Sequence, residues 1–338
     1  MRRKFLSIVY HQILPKRNLS HIPVMVEKVV KYLSSSNLII DMTFGEGGHT
    51  KALLESSPKS SIICVDRDPN AFKTAELLSQ QYPNRIYPFH GKFSDLPVIL
   101  KKLDVNEVDG ILFDFGCSSG QLDIADRGFA LSKTGPLDMR MDPQSDSLTA
   151  ADIIQYAEEY DLYRIFKIYG GEKKARTIAR AIVENRYTFS PVKTTSDLAA
   201  LVAGIIPSRT DKLGRSAHPA TKIFQALRIF VNDELNEIDY AMSLSRYFLK
   251  LGGTLVTISF HSLEDTIVKR HLTGNLLENS ANPLPLKYSS HFLCNQDELK
   301  KDSNWVMLTK HVETPTDEEL ASNPRSRSAK LRAAIKVN

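Results

Sequence analysis

Short apolar runs in the first third of the chain each precede a stretch with helical periodicity. The runs cover residues 38–42, 61–66, about 85–89 and 108–114. Between them, apolar residues recur at helical spacing, as in the segment that Asp68 and Pro69 open. Because four β-then-α units follow one another, the pattern predicts an α/β fold with a parallel, doubly wound sheet.

The strand pattern stops near residue 125 and gives way to helix signals up to about 235. Thr149 can cap a helix over 150–159, a further helix is predicted between Gly171 and Asn185, and Thr195 precedes another at 196–202. A last helix begins near Pro219 and carries apolar residues at offsets 0, 4, 7 and 8, which are Ile223, Leu227, Phe230 and Val231. No convincing strand is predicted in this segment, so we expect an all-helical insertion.

Strand patterns return after the helical segment. One strand is predicted at 252–260, and two more candidates lie at 305–310 and 331–337. The last two would form a β-hairpin at the sheet edge, which would separate this chain from a dinucleotide dehydrogenase. We therefore predict one α/β domain formed by residues 21–124 and 236–338, with an inserted helical domain over 125–235.

The amino-terminal segment is basic and amphipathic. The first acidic residue is Glu27, and the segment before it carries the basic residues Arg2, Arg3, Lys4, Lys16 and Arg17. Such a start is typical of a mitochondrial transit peptide, which we assign to residues 1–20, with a disordered basic tail on a cytoplasmic protein as the alternative. The net charge of +5 is compatible with a nucleic-acid partner but does not require one.

Composition excludes several classes of protein. No apolar stretch reaches the roughly 20 residues that a membrane span needs, so we expect a soluble protein with no membrane partner. Cys64, Cys117 and Cys294 are scattered, without metal-ligand or disulfide-framework spacing. This fits a reducing compartment and predicts no metal site.

A glycine-rich turn follows the first strand. Gly45, Gly47 and Gly48 lie in this turn, and Asp66 ends the next strand. The glycines allow close approach of the backbone to a ligand, and an acid at this spacing suits ribose hydroxyls, so the pair predicts a site for an adenosine-bearing cofactor. A structural turn without a ligand, and a capping role for Asp66, remain the alternatives. The third glycine of the dinucleotide fingerprint is missing, which argues against a nicotinamide oxidoreductase.

The fourth strand ends in Asp114 and is followed by a loop that includes Ser118 and Ser119. In methyltransferases this position faces the reacting methyl group. An acidic side chain there can accept a hydrogen bond from an exocyclic amine and hold its nitrogen toward the methyl carbon. Asp114 is therefore the predicted catalytic residue that accepts a hydrogen bond from the amine. Ser118 and Ser119 are the alternative acceptors.

At these motifs the chain resembles the RsmH (MraW) family of small-subunit ribosomal RNA N4-cytosine methyltransferases, which have a Rossmann-like class I methyltransferase sheet. The resemblance runs from His21 to about Ala334 and includes the segments 41–49, 66–69, 90–93, 114–119, 121–123, 127–129, 135–141, 259–265 and 323–328. It implies S-adenosylmethionine as the cofactor, bound by Gly45, Gly47, Gly48, His49, Asp66, Phe93, Asp114 and Gln121. Phe115 and Cys117 replace the family's usual Leu and Val, which resembles the animal mitochondrial branch.

The resemblance also implies small-subunit ribosomal RNA, or the assembling subunit, as the partner. The residues we predict to contact RNA are all basic, and they are Arg176, Arg180, Arg228, His261, Arg325 and Arg327. For the first two a solvated charged face is the alternative, for His261 a helix cap, and for the last two a turn before the final strand. A catalytically silent RNA-binding assembly factor is the alternative function, and a homodimer remains open.

Overall fold

The computed structural model describes residues 22–337 apart from 189–190, 208, 211–215 and 275–304. The predicted transit peptide and Cys294 lie outside the described residues. None of the helices that the structure describes combines the length and the apolar character that a membrane span requires.

A seven-stranded sheet forms the centre of the fold, in the order β3-β2-β1-β4-β7-β9-β8. Its first four strands and β7 run parallel, whereas β9 pairs antiparallel with both β7 and β8. The predicted doubly wound sheet and the edge hairpin are confirmed. The strands are β1 (Leu38–Asp41), β2 (Ser61–Asp66), β3 (Ile86–His90), β4 (Val108–Asp114), β7 (Leu249–Ser259), β8 (Trp305–Met307) and β9 (Lys330–Lys336).

Helices cover the sheet on both faces, which is why its central strands read as continuous apolar runs. Ile39 and Ile40 of β1 are both fully buried, although they point to opposite faces. The helices are α1 (Val26–Leu33), α2 (Gly48–Ser56), α3 (Pro69–Gln81), α4 (Leu96–Lys102), α5 (Ser119–Asp123), α6 (Ala150–Tyr156), α7 (Glu159–Ile168), α8 (Ala175–Asn185), α9 (Thr195–Ile205), α10 (Thr221–Asn232), α11 (Glu234–Phe248), α12 (Ser262–Thr273) and α13 (Asp317–Ser322).

The helical segment after β4 differs from the prediction in several details. It contains a short antiparallel ribbon, β5 (Arg209–Thr210) with β6 (Ser216–Ala217), so the expectation of an all-helical insertion was wrong there. Strands of two residues are too short to show a period in the sequence. The cap of α9 is Thr194, whose side chain accepts a hydrogen bond from the Asp197 amide, and not Thr195. The predicted Thr149 cap of α6 is confirmed, although α6 ends at Tyr156.

The helices after β4 share an apolar core with the sheet. Phe166 of α7 and Ile178 of α8 belong to the same buried cluster as Ile40 of β1 and Phe113 of β4. The core therefore continues from the sheet into the helical segment. The division of the chain into two domains stays a prediction.

Candidate functional site

The glycine turn lies at the carboxyl end of β1 and leads into α2. Gly45 has φ +55° and Gly47 φ +77°, in the left-handed region that glycine adopts without strain. A Cβ atom at Gly47 would lie 2.6 Å from Cζ of Phe44, so the turn has no room for a side chain there. Gly47 is also the residue before α2, and the free amides of that helix face the same edge of the sheet.

Asp66 ties the glycine turn to the end of β2. Its Oδ2 accepts a hydrogen bond from the Gly45 amide at 2.7 Å, and its Oδ1 accepts one from the Asp68 amide at 2.8 Å. Burial raises the pKa of Asp66 to about 6. The cap of α3 is instead Asp68, whose Oδ1 accepts from the Asn70 amide at 3.0 Å. Asp66 is therefore not needed as the helix cap and retains oxygen lone pairs for a ligand.

Asp114 ends β4 beside His49 of α2. Its backbone amide donates to Oγ1 of Thr43 at 2.7 Å, and its Oδ2 lies 3.5 Å from Nε2 of His49. Among the described residues, Oδ1 of Asp114 and both ring nitrogens of His49 are buried without a hydrogen-bond partner. Buried polar atoms without a hydrogen-bond partner are rare in proteins. Three such atoms in two neighbouring side chains indicate a site where a ligand supplies the missing hydrogen bonds.

A second buried carboxylate, Asp41, lies beneath the same turn. Its Oδ2 accepts from the Thr50 hydroxyl at 2.7 Å and its Oδ1 from the Thr43 amide at 3.2 Å. Burial raises the pKa of Asp41, and the nearby His49 acts in the opposite direction. Thr43 is thereby bonded to both Asp41 and Asp114, which links the turn after β1 to the end of β4.

Ser118 and Gln121 form the start of α5. The Ser118 hydroxyl accepts from the Gln121 amide at 3.2 Å, and Oε1 of Gln121 accepts from the Ser118 amide at 3.0 Å, which is a capping box. Nε2 of Gln121 donates to Asp68 at 3.0 Å, and Arg127 forms a buried ion pair with the same carboxylate at 2.6 Å. Ser119 is the first residue of α5. The predicted roles of Ser118, Ser119 and Gln121 toward ligands stay predictions, because these contacts account for the Ser118 and Gln121 side chains.

Phe93 borders an open cleft next to this edge. Its ring makes edge contacts with Phe113 at 5.2 Å and Phe115 at 6.0 Å between centroids. The cleft holds about 350 Å³ of space outside the protein atoms, part of which is open to solvent. Its lining combines aromatic, apolar and charged residues, and comprises Arg67, Lys92, Phe93, Phe115, Gly116, Met141, Glu234, Glu237 and Ile238. Aromatic walls with a few polar groups are typical of sites for planar ligands such as adenine.

Arg228 lies under the loop that follows β4, and most of its surface is buried. Its guanidinium contacts both oxygens of Glu234 and approaches Sγ of Cys117 at 3.5 Å. Burial alone would lower the pKa of Arg228, but the facing Glu234 carboxylate outweighs it, so the pKa is raised. Arg228 is one of the basic residues that the sequence predicts to contact RNA. An RNA contact by Arg228 stays a prediction, and its observed partners favour a role inside the protein.

His261 caps α12, as the alternative reading of its motif proposed. Its Nδ1 accepts from the Glu264 amide at 3.5 Å, and its Nε2 lies 2.9 Å from Oε1 of Glu264. His261, Glu264 and Glu234 bring potential metal ligands within 4.8 Å of one another. Because Arg228 already supplies a positive charge to Glu234, this cluster contains its own counter-cation, and we assign no metal to it.

The other four residues predicted to contact RNA lie on two other surfaces. Arg325 bonds to Asp123 at the end of α5 at 2.8 Å, and Arg327 is exposed in the same 3₁₀ turn, Pro324–Ser328. Arg176 and Arg180 are exposed on α8. The fold therefore brings Arg325 close to the α5 side of the site. Contacts between these four residues and RNA stay predictions.

The residues at the carboxyl ends of β1, β2 and β4 fit S-adenosylmethionine in three respects. Asp66 offers carboxylate oxygens to ribose hydroxyls, the cleft beside Phe93 has an aromatic wall for an adenine ring, and the start of α2 offers free amides to the carboxylate of the methionine end. Oδ1 of Asp114 and the ring nitrogens of His49, which are buried without hydrogen bonds, lie at the same edge. Sequence reasoning found all of these residues, but it missed Thr43 and Arg127, although both belong to motifs that the sequence displays.

Comparison with known proteins shows which family the chain resembles. A family model described as the MraW methylase family matches residues 18–337. The chain is 50% identical over 330 residues to a Drosophila melanogaster methyltransferase-like protein 15 homolog, covering 94% of this chain and 93% of that protein. It is 46% identical over 336 residues to the mouse 12S rRNA N(4)-cytidine methyltransferase METTL15, covering 94% and 82% respectively.

A third relative carries an unrelated name. It is a Culex quinquefasciatus protein named receptor-type tyrosine-protein phosphatase mosPTP-1, 54% identical over 329 residues. The match covers 94% of this chain but only 22% of that protein. Most of that relative therefore has no counterpart here, and its name says nothing about the chemistry of this site.

Proposed function

The chain belongs to the MraW methylase family, and we propose that it transfers a methyl group from S-adenosylmethionine to the N4 amine of a cytidine in small-subunit ribosomal RNA. The mouse relative bears the name of a 12S rRNA N(4)-cytidine methyltransferase. The identity of 46% extends over nearly the whole chain, which supports a shared substrate. We further propose that the substrate is a ribosomal RNA of the 12S type and that the protein acts in the mitochondrial matrix.

One observation carries this proposal: the free Oδ1 of Asp114 at the end of β4. A cytosine amine is a weak nucleophile because its lone pair is delocalised into the ring. An oxygen acceptor that is fixed before the substrate arrives can bind the N–H and hold the nitrogen in line with the methyl carbon. Thr43 fixes the backbone of Asp114 through the 2.7 Å bond, so the acceptor is positioned in advance.

When bound, S-adenosylmethionine supplies an electrophilic methyl group on a sulfonium, so its transfer requires no metal. Asp66 would hold the ribose and Phe93 the adenine side, while the free amides at the start of α2 would bind the carboxylate of the amino-acid end. As the N–C bond forms and the S–C bond breaks, the nitrogen gains positive charge. The Asp114 carboxylate stabilises that charge and can accept the departing proton.

His49 can assist the proton transfer from its position beside Asp114. Its Nε2 lies 3.5 Å from Oδ2 of Asp114, while Oδ1 remains available to the amine. A neutral imidazole at this distance can take the proton onward or hold the carboxylate in place. The base must be unpaired to reach this pocket, so we infer a single-stranded or extruded cytidine as the substrate.

Tritium transfer from labelled S-adenosylmethionine to small-subunit ribosomal RNA tests the proposal. After nuclease digestion of the RNA, we expect the label in N4-methylcytidine. When ribosomal RNA from cells with and without the protein is mapped, we expect the modification at one nucleotide to depend on the protein. Tight binding of cofactor and RNA with no transfer would instead support a silent assembly factor. Label on a different atom would also overturn the proposed reaction.

A further inference from the structure

Two helices of the segment after β4 lie antiparallel and form an exposed surface. Arg176, near the start of α8, stacks over the ring of Tyr163, in the middle of α7. Arg186, just after α8, donates to the carbonyls of Ile154 in α6 and Ala157 between α6 and α7. The start of α7 therefore lies beside the end of α8.

Two tyrosine rings lie side by side on this surface, each with a guanidinium group over it. Arg164 lies 5.7 Å from the centroid of the Tyr160 ring, the Tyr160 and Tyr163 rings are 6.2 Å apart, and Arg176 lies 5.2 Å from the Tyr163 ring. Tyr160 is 64% exposed, although it belongs to this ordered series. We call Tyr160, Tyr163, Arg164 and Arg176 the tyrosine–arginine face.

Charge is divided unevenly between the two ends of the helix pair. Exposed lysines surround the junction of α7 and α8, and they are Lys167, Lys173, Lys174 and Lys222. Glu172 at the same junction is buried and accepts a bond from the Lys174 amide. The other end carries the acids Glu158, Glu159 and Glu184, of which Glu184 pairs with Arg180. Asp161 lies 3.8 Å from Arg164. The lysine-bearing junction is thus the end suited to an anion.

We propose that the tyrosine–arginine face binds an unpaired RNA segment beside the target cytidine, with bases on Tyr160 and Tyr163 and phosphates on the lysines at the junction of α7 and α8. Here Tyr160 is exposed and Tyr163 is half-buried. Tyrosine rings beside arginines are the composition that single-strand binding surfaces use, because every base offers a stacking face. This inference rests on the proposed function, since it assumes an RNA substrate. It assigns Arg176 to this face and leaves Arg180 with Glu184.

Binding of single-stranded RNA oligonucleotides to the full chain tests the face. The double variant Tyr160→Ala/Tyr163→Ala should raise the Kd by about 10-fold or more, in line with the loss of stacking at one or two bases. Lys167→Ala/Lys173→Ala should instead weaken the salt dependence, lowering the slope of log K against log salt by about 1.4 for two phosphate contacts. Equal Kd values for the tyrosine variant and the parent chain would overturn the proposal.

Tyr247→Ala is the matched control, because Tyr247 is 58% exposed but lies on α11, outside the face. It should bind RNA like the parent chain. In methyl transfer, the double tyrosine variant should raise KM for RNA while kcat and the affinity for S-adenosylmethionine stay unchanged. Transfer by the parent chain with an unaltered KM in the variant would refute this inference alone. No transfer by the parent chain would refute the proposed function.

Discussion

Arg228 and Glu234 form a two-point ion pair, with Nε–Oε1 and Nη2–Oε2 distances of 2.9 Å, beneath the loop that follows Asp114. The pair joins the end of α10 to the start of α11. Arg228 also contacts Cys117 in that loop and lies 3.8 Å from Glu264 at the start of α12. A single guanidinium therefore holds together the elements that surround the loop after β4.

Arg228→Ala should destabilise the protein by about 3–5 kcal/mol, because it leaves the Glu234 carboxylate buried without its partner. The double variant Arg228→Met/Glu234→Leu should recover part of that loss, because the Glu234 carboxylate is removed together with its partner, whereas the buried Glu264 still loses the guanidinium 3.8 Å away. Urea unfolding of both variants measures the difference. If the double variant regains stability but not its KM for RNA, Arg228 contacts the substrate after all.

Asp114→Ala should lower kcat by about 100-fold or more, the range expected when a positioned proton acceptor is removed. The fold and the affinity for S-adenosylmethionine should change less, because the Thr43 bond is made by the Asp114 backbone. Single-turnover tritium transfer is the measurement, with Ser119→Ala as the control. A kcat equal to that of the parent chain would move the acceptor to Ser118 or Ser119.

Asp66→Ala should weaken S-adenosylmethionine binding by about 10-fold or more, because a charged acceptor for ribose hydroxyls is lost. Calorimetry measures this directly, and we expect RNA binding by the same variant to persist. Unaltered cofactor affinity would contradict the ribose role. Glu46→Ala provides a comparison for an acid at the same turn that has no assigned role toward the ribose.

The affinity for S-adenosylmethionine should depend on pH through Asp66, whose pKa burial raises to about 6. The ionised carboxylate accepts hydrogen bonds from the ribose hydroxyls, so affinity should be constant above pH 7 and fall as the pH drops through 6.

The contribution of Asp66 to the free energy of unfolding changes with pH in the opposite direction. A raised native pKa favours the protonated native state, so this group's contribution to stability is complete below about pH 4 and is lost as the pH rises through 6. Asp66→Asn should flatten both profiles, and a persistent pH dependence of affinity would assign it to another group.

Gly47→Ala should lower the unfolding free energy by about 2 kcal/mol, because φ +77° is strained for alanine and the new Cβ would collide with Phe44. Its affinity for S-adenosylmethionine should fall as well. Gly204→Ala is the control, since a Cβ there meets nothing within 4 Å and the residue lies in α9. Thermal unfolding should show that change to be neutral or stabilising by up to about 1 kcal/mol. Equal stability of the two variants would mean that the turn adapts.

Helix α11 is the element that the sequence pattern conceals most. Its buried face includes the charged residues Glu234 and Glu237, whose partners are Arg228 and Ser94. These acids interrupt the apolar periodicity from which a helix is inferred. Only after folding do their partners come within hydrogen-bonding distance, so their burial could not be read from the chain alone.

The sequence by itself determined the parallel sheet, the glycine turn, and the places of Asp66 and Asp114 at strand ends. Strands that are buried on both faces appear as continuous apolar runs, and glycine marks positions with left-handed backbone. Both features are visible in a short stretch of sequence. Tertiary structure decided that Arg228 faces Glu234 inside the protein, that His49 approaches Asp114, and that Arg176 joins a series of tyrosines. These relationships join residues that are distant in the chain. The reason is physical, because the partner of a charged or aromatic side chain depends on packing between elements, and residue type alone does not specify it.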